Sequence, residues 1–557
     1  MRRKLIQRLG QGVERLVERL GVGARGVGGQ LTDGVGQRIR RRRPGDRDEG
    51  LRLHRGVARR LQGQHPLTEQ GSGADVRGGV ASQFDRTFDQ EGDQGVTVAQ
   101  RNILNRAHFH PGHRDVVARH DAAGLAEQCL VADVGRHRQQ LLRLQADENH
   151  QDDQDRAQEA GADGVMVIQT HSQSVFETSV AIAKMLGLEP NKVRCQHMQG
   201  AGCYGHNMAD DAAADAALLA MAVPGQPVRL QYTREQEHKW EPYGSAMVIQ
   251  TKAGLDANGN VLDWDLQIWS TPHGTRPSGH PGNLLSARYL EQPFAQPTPI
   301  NGGPPNYAAD RNGIALYDFP GHKVLTHFIT EMPLRVSSTR GLGAYGNVFA
   351  IESFMDELAV ASQVDPLAYR LRFLKDERAR DVLQQAAEKF GWQGWQKTSN
   401  RGRGIGFARY KNIAGYCAVA IEVEVNPRNG RIRVLRAVAA ADSGHIVNPD
   451  GVSNQIEGGL IQSLSWSLKE EVKFDDTQIL STDWNSYPIL TFSEVPPVDV
   501  VLINRPGAPF LGAGEASQGP TSAALANAVF DATGVRFRRL PLTPERVKQG
   551  LSTQRTT

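Results

Sequence analysis

Gly514-Glu515-Ala516-Ser517-Gln518-Gly519-Pro520 sets one carboxylate in a glycine turn, and the flanking sequence says what the turn joins. The apolar run 498–503 ahead of it reads as a strand, followed by a loop with Pro506, Gly507, Pro509, Gly512 and Gly514. Behind it, 521–532 reads as an Ala-rich helix, opened by Pro520 and closed by Gly534. Glycines let the backbone come close to a ligand, and a helix N-terminus favours negative charge beside it. Glu515 is therefore well placed for a general base. The alternative is a plain cap of the following helix.

The bulk numbers exclude several classes. A chain of 557 residues has room for two to four domains. A net charge of +3 gives no global argument for a nucleic-acid partner or a membrane surface. No apolar run is long enough to predict a membrane span. Arg2-Arg3 is followed by no apolar core, so no export signal is read there. The four cysteines (Cys129, Cys195, Cys203, Cys417) form no C-x-x-C pair. That spacing argues against a disulfide framework and against an iron–sulfur cluster held by this chain alone. The default compartment is the cytoplasm, with the periplasm open if the true N-terminus is missing.

Residues 1–164 read differently from the rest. Lys4 is their only lysine, and they hold no Tyr or Trp. Arg, Gln, Asp, Gly and His dominate, as in Arg40-Arg41-Arg42-Arg43. Either this is a polar leader that buries too little apolar surface to fold, or it is a mis-called reading frame joined to a genuine protein. His108, His110 and His113 lack a completing carboxylate or thiolate, so a metal centre is not expected there.

From residue 165 the texture is globular. Strands are expected at 165–168, 192–197 and 228–232, and helices at 175–186, 210–222, 348–361, 366–374, 455–468 and 544–548. Asn258-Gly259 and Asn429-Gly430 predict hairpins joining 247–255 to 261–269 and 418–425 to 431–439. Residues 270–320, rich in Pro and Gly, are expected to run over the surface. The mixture predicts an α+β fold, with lobes at 165–335 and 336–550.

Gly200-x-Gly202-x-x-Gly205 stands between a strand and a helix, the context of a dinucleotide fingerprint. Against that reading, Asp210-Asp211 would repel a pyrophosphate, and bulky Tyr204 and His206 would block its approach. A nicotinamide-dependent dehydrogenase is the rival from another class.

Taken together, five stretches in order resemble the molybdenum-binding large subunit of the molybdenum hydroxylases, the group of xanthine dehydrogenase and aldehyde oxidase, on the branch of the isoquinoline 1-oxidoreductase beta chain. They are Thr170-His171-Ser172-Gln173, Gly202-Cys203-Tyr204-Gly205-His206-Asn207, Ser338-Thr339-Arg340-Gly341-Leu342-Gly343-Ala344, Asp442-Ser443-Gly444 with Gln455-Ile456-Glu457-Gly458-Gly459, and Gly514-Glu515. The resemblance implies two lobes around a molybdenum cofactor, a molybdopterin in plain or cytosine dinucleotide form. Its metal would be held by the pterin dithiolene, with no protein ligand. Gln173 would face an oxygen ligand of the metal. Gly202, Tyr204 and Gly205 would wrap the pterin, together with Arg340, Gly341, Gly343, Ala344 and Gly514, and Gln455 would bond it.

Glu515 falls on the family's catalytic glutamate, which would activate the attacking hydroxyl. Arg340 would stabilise charge on the substrate, with an ion pair to Glu352 or Asp356 as the alternative. The reaction implied is hydroxylation, with water as oxygen source, of an electron-poor carbon in an N-heteroaromatic ring such as isoquinoline, aldehydes coming second. Two electrons must then leave, which implies a small partner subunit carrying [2Fe–2S] clusters. Relatives carry well over a hundred further residues before the first match, so a non-catalytic remnant is the second rival.

Overall fold

The computed structural model describes residues 164–554, apart from 201 and 306, together with the backbone of two short strands upstream, β1 (Gly95–Val98) and β2 (Asp155–Gln158). The remaining leader readings, the histidine tract and residues 40–43 included, lie outside the described residues.

The first sheet is built on a crossover. Strands β3 (Met166–Thr170) and β4 (Val193–His197) are parallel and joined by helix α1 (Val175–Leu186). Gly187, at φ 68°, ends α1 in the left-handed conformation glycine adopts cheaply. β2 and β5 (Val228–Leu230) complete the order β4-β3-β2-β5. Helix α2 (Ala209–Ala222) buries Ala213, Ala214, Ala216 and Ala217 in the same core as Ile168, Ile182 and Val228.

Two further sheets repeat one pattern. After helix α3 (Arg234–Trp240), the hairpin β6 (Met247–Leu255) and β7 (Val261–Ser270) is flanked by β1, antiparallel to β6, and by β8 (His322–Phe328), parallel to β7. Helices α4 (Ala344–Ala361), α5 (Pro366–Phe373) and α6 (Glu377–Phe390) follow. Next come β9 (Arg401–Arg409) and the hairpin β10 (Tyr416–Val425) and β11 (Ile432–Asp442). β9 is antiparallel to β10, and β12 (Val498–Leu502) is parallel to β11. Helices α7 (Pro449–Leu468), α8 (Gln518–Thr533) and α9 (Pro544–Gln554) complete the chain.

One apolar core joins these two sheets to their helices. Ile249, Leu266 and Ile268 share it with Phe349 and Phe354 of α4, with Val419 and Ile421 of β10, and with Leu525 and Val529 of α8. Each such side chain contributes roughly 1.5–3 kcal/mol by leaving water. Alternate glycines of β9 set the distance to α8. A β-carbon on Gly402, Gly404 or Gly406 would strike the carbonyl oxygens of Ala528, Ala524 or Pro520.

Both Asn-Gly hairpins form where expected, with Gly259 at φ 72° and Gly430 at φ 73°. Some boundaries move. α4 starts at Ala344, a turn earlier than expected, and α7 at Pro449, where Asn448 Oδ1 accepts the Gly451 N–H at 2.9 Å and caps it. α3, α6, β8 and β9 add to the expected elements. Residues 270–320 are corrected from a surface excursion. Leu284 and Ala287 enter the first core, and Tyr317 and Phe319 enter the larger one, because the segment carries apolar residues that both cores bury.

Candidate functional site

Two connections of fifteen residues each meet here: 329–343, between β8 and α4, and 503–517, between β12 and α8. They exchange hydrogen bonds. The Gly341 N–H donates to Glu515 Oε1 at 2.8 Å, and Arg340 Nε donates to the Gly514 carbonyl at 2.5 Å. The same guanidinium reaches α7, donating from Nη2 to the Gln455 carbonyl at 2.9 Å and to its Oε1 at 3.2 Å, and from Nη1 to Gln462 Oε1 at 3.5 Å. Arg340 is thus buried, 6% exposed, as the tie between three segments. Burial lowers its pKa, and the carboxylate of Glu515 works in the opposite direction.

Two alternatives from the sequence are corrected. Glu515 does not cap the helix behind it: Ser517 holds the N-cap position of α8, and the Glu515 carboxylate is turned to the Gly341 N–H. Arg340 does not pair with Glu352 or Asp356, because Arg370 takes Glu352 at 2.8 Å and Arg536 takes Asp356 at 2.8 Å.

The 202–206 loop docks on the Arg340 connection. Gly205 forms an isolated bridge with Thr339, and the His206 N–H donates to the Ser338 carbonyl at 2.8 Å. Gly205 has φ 131°, and a β-carbon there would lie 2.8 Å from Thr339 Cα, so the close approach requires glycine. The Tyr204 ring centroid is 6.0 Å from Arg340 Cζ. At Gly343 a β-carbon would sit 2.6 Å from the Ala308 carbonyl oxygen, and Ala344 opens α4 fully packed.

A buried polar chain supports this loop. His206 Nδ1 lies 2.8 Å from Ser337 Oγ and its Nε2 2.9 Å from Asp210 Oδ2. The Ser172 hydroxyl donates to Asp210, and Thr178 Oγ1 does so at 3.1 Å. Burial works to raise the Asp210 pKa, yet the bonds from His206 and Ser172 bring it down to about 2, while burial lowers that of His206. The pair is therefore a carboxylate against a neutral imidazole. Asp211 is equally internal, paired to Arg335 at 2.7 Å and accepting the Leu285 N–H at 2.8 Å. Both acids at the start of α2 thus serve packing, and the glycine loop is committed to the 337–340 segment. Gln173, next in the chain after Ser172, is exposed.

Contacts therefore link Tyr204, Gly205, Arg340, Gly341, Gln455, Gly514 and Glu515. Gly202 lies in the same loop as Tyr204, whereas Gln173 is only the chain neighbour of Ser172, and among the described residues no hydrogen bond of its own brings its side chain to the group. Sequence reasoning missed Arg311, Tyr410 and Lys411. Tyr410 is buried at the end of β9, its hydroxyl accepting from Arg311 Nη1 at 2.6 Å. Burial pushes its phenol well above the ordinary range, and the interaction with Glu515 adds to that. An aromatic between cations, Arg409-Tyr410-Lys411, closing a glycine-rich strand, was the available signal.

Gln455 and Gly514 are exposed, and Tyr204 and Glu515 half-buried, so the linked group presents a neutral amide, backbone and one carboxylate to solvent. Among the described residues no three His, Cys, Asp or Glu side chains are grouped to hold a metal ion. A neutral amide, backbone groups and the close-approach glycine at 205 form a donor set that fits a polar group.

Comparison with known proteins gives two matches to a molybdopterin cofactor-binding domain, at residues 156–282 and 378–496. Gln173, Gly202, Tyr204, Gly205 and Gln455 fall inside these spans, and Arg340 and Glu515 outside. A nicotinate dehydrogenase subunit of Pseudomonas putida is 41% identical over 384 residues, covering 66% of this chain and 31% of its own length. The beta chain of isoquinoline 1-oxidoreductase from Brevundimonas diminuta is 28% identical, covering 68% of this chain and 47% of its own. The chain thus spans about a third and about half of these relatives. The aldehyde oxidoreductase of Desulfovibrio gigas has a similar fold, with TM-score 0.58 at 20% identity, over 72% of this chain and 59% of that one. No described helix is long and apolar enough to cross a membrane.

Proposed function

Because this chain belongs to the molybdenum hydroxylase family of molybdopterin-binding oxidoreductases, we propose that it holds the catalytic centre of a hydroxylase acting on an electron-poor carbon of an N-heteroaromatic ring, aldehydes being the second substrate class. One observation carries the reading: Glu515 is fixed by the Gly341 N–H in a loop that Arg340 ties to Gln455. The likeness to nicotinate and isoquinoline enzymes supports the ring, and the scattered cysteines support a separate [2Fe–2S] subunit as electron acceptor. The cytosine dinucleotide form of the cofactor and a cytoplasmic setting belong to the same reading.

When bound, the molybdenum cofactor supplies the two-electron redox chemistry. Gln173 and Gln455 present neutral amides to it, and the 202–205 loop presents backbone groups with little side chain in the way. Glu515 does the proton work. Its Oε1 is engaged by the Gly341 N–H and the Tyr410 hydroxyl lies beside the same carboxylate, which fixes its orientation for accepting a proton from the attacking hydroxyl. Arg340 positions that carboxylate through the Gly514 carbonyl, and its charge stabilises negative charge developing nearby.

The test is Glu515→Gln in the complex purified with its molybdenum. The amide keeps an oxygen for the Gly341 N–H, so metal content should hold while turnover of an N-heteroaromatic substrate drops at least about a hundredfold. Near-normal turnover would remove Glu515 from the chemistry.

A further inference from the structure

Two cations share one tyrosine ring beside Glu515. Arg311 Cζ lies 5.5 Å and Lys411 Nζ 5.6 Å from the Tyr410 ring centroid. Arg311 is anchored: Nη1 donates to the Tyr410 hydroxyl at 2.6 Å, and Nε and Nη2 to the Tyr307 carbonyl at 3.2 and 2.7 Å. Lys411 is half-buried, and among the described residues no carboxylate lies within ion-pairing distance of its ammonium. Burial and the nearby Arg311 both lower its pKa, with Glu515 acting the other way. Like charges gathered in a partly dry site repel unless an anion enters between them.

The backbone holds the lysine there at a cost. Lys411 (φ 57°) and Asn412 (φ 61°) are consecutive non-glycine residues in the left-handed region, and Asn312, which braces them, has φ 60°. Asn312 Oδ1 accepts the Lys411 N–H at 2.9 Å, while its Nδ2 donates to the Arg409 carbonyl at 2.7 Å and to Asn412 Oδ1 at 2.8 Å. Strain of this kind persists only where the surroundings impose it, and it gathers at ligand sites.

We propose that Lys411, with Arg311 behind the Tyr410 ring, binds a carboxylate carried by the substrate ring and selects carboxylated over neutral N-heteroaromatic rings. The inference rests on the proposed function for its substrate class and names the residue that reads the charge. An ammonium suits this task because it approaches one carboxylate as a point charge and needs no bidentate geometry. Recognition occurs beside the base, so it also orients the ring towards Glu515.

The experiment is calorimetric titration of the purified complex with pyridine-3-carboxylate and with pyridine-3-carboxamide, for the wild type, Lys411→Met and Lys411→Arg. The wild type should bind the carboxylate at least about tenfold more tightly than the amide, the range of one charge-assisted hydrogen bond. Lys411→Met should bring that ratio close to one, and Lys411→Arg should keep most of it. Equal wild-type affinities, or a preference that survives Lys411→Met, would overturn the proposal. Turnover of the same two compounds is read separately. A carboxylate preference in binding without turnover leaves the anion site standing and sinks the hydroxylase reading. Turnover without any carboxylate preference does the reverse.

Discussion

Two of the three four-stranded sheets, those built on β6–β7 and on β10–β11, have the same plan, and their products differ. In each, an Asn-Gly hairpin is flanked by an antiparallel strand on one side and a parallel strand on the other. In each, a fifteen-residue connection then leads to a helix, and those helices, α4 and α8, pack on one another. The first connection delivers a cation and a backbone N–H, through Arg340 and Gly341. The second delivers a carboxylate and a backbone carbonyl, through Glu515 and Gly514. Each half supplies what the other must bond. Under the proposed function the difference is a division of labour, one loop holding and the other carrying the proposed base, and neither geometry is complete without its counterpart.

The largest effect should come from breaking the holding side. Arg340→Met removes the guanidinium bonds to Gly514, Gln455 and the buried Gln462, for a stability cost of about 2 kcal/mol. With its tether gone, the Glu515 loop should lose about a hundredfold in turnover, as small misplacements of a reacting group do. Arg340→Lys should recover only part of both, since one ammonium cannot replace a planar fork. Glu515→Gln, by contrast, should cost turnover with little change in unfolding free energy. Denaturant unfolding and steady-state rates measured on both variants check this, and equal stability losses would end the holder-and-reactor distinction.

A smaller effect is expected where the glycine loop meets the holding side. Gly205→Ala must place a β-carbon against the Ser338 carbonyl at φ 131°, which should cost about 2 kcal/mol and lower the molybdenum bound per chain. Elemental analysis of the purified variant measures it, and unchanged metal content would detach the loop from the cofactor. Gly205 also marks how far the sequence could be read. Its place between a strand and a helix was legible, and so were both hairpins and the turn around Glu515, because glycine spacing and apolar alternation are local signals.

What escaped depended on partners distant in sequence. Strand β9 hid behind Gly402, Gly404 and Gly406, whose low strand preference is overridden by the backbone of α8 pressed against them. The tie from Arg340 to Gly514 joins residues 174 positions apart, so its direction could be learned only from the fold. Asp210 and Asp211 read in the sequence only as charge that would repel a pyrophosphate, and their buried partners His206, Ser172 and Arg335 came from the fold. Helix α6 is a different case. Asp376 caps its start and Gly391 its end, both ordinary signals that were present in the sequence without having been assigned.

The smallest predicted effect is the difference between the two halves at their matching turns. Gly259 and Gly430 have nearly the same left-handed φ, so the backbone term for alanine is shared, about 1 kcal/mol at each. Their surroundings differ. A β-carbon at Gly259 meets Ser362, whose hydroxyl can rotate away but whose Cβ, at 2.6 Å, must shift, whereas at Gly430 it meets the Pro544 carbonyl and, at 2.6 Å, the Lys548 nitrogen in the backbone of α9. Gly430→Ala should therefore cost about 3 kcal/mol, because the backbone of a packed helix must shift, and Gly259→Ala about 2 kcal/mol, because one serine must give. Denaturant midpoints of the two variants read the difference directly. Equal losses would mean that α9 yields as easily as a serine side chain, and the second hairpin would then be no more tightly buttressed than the first.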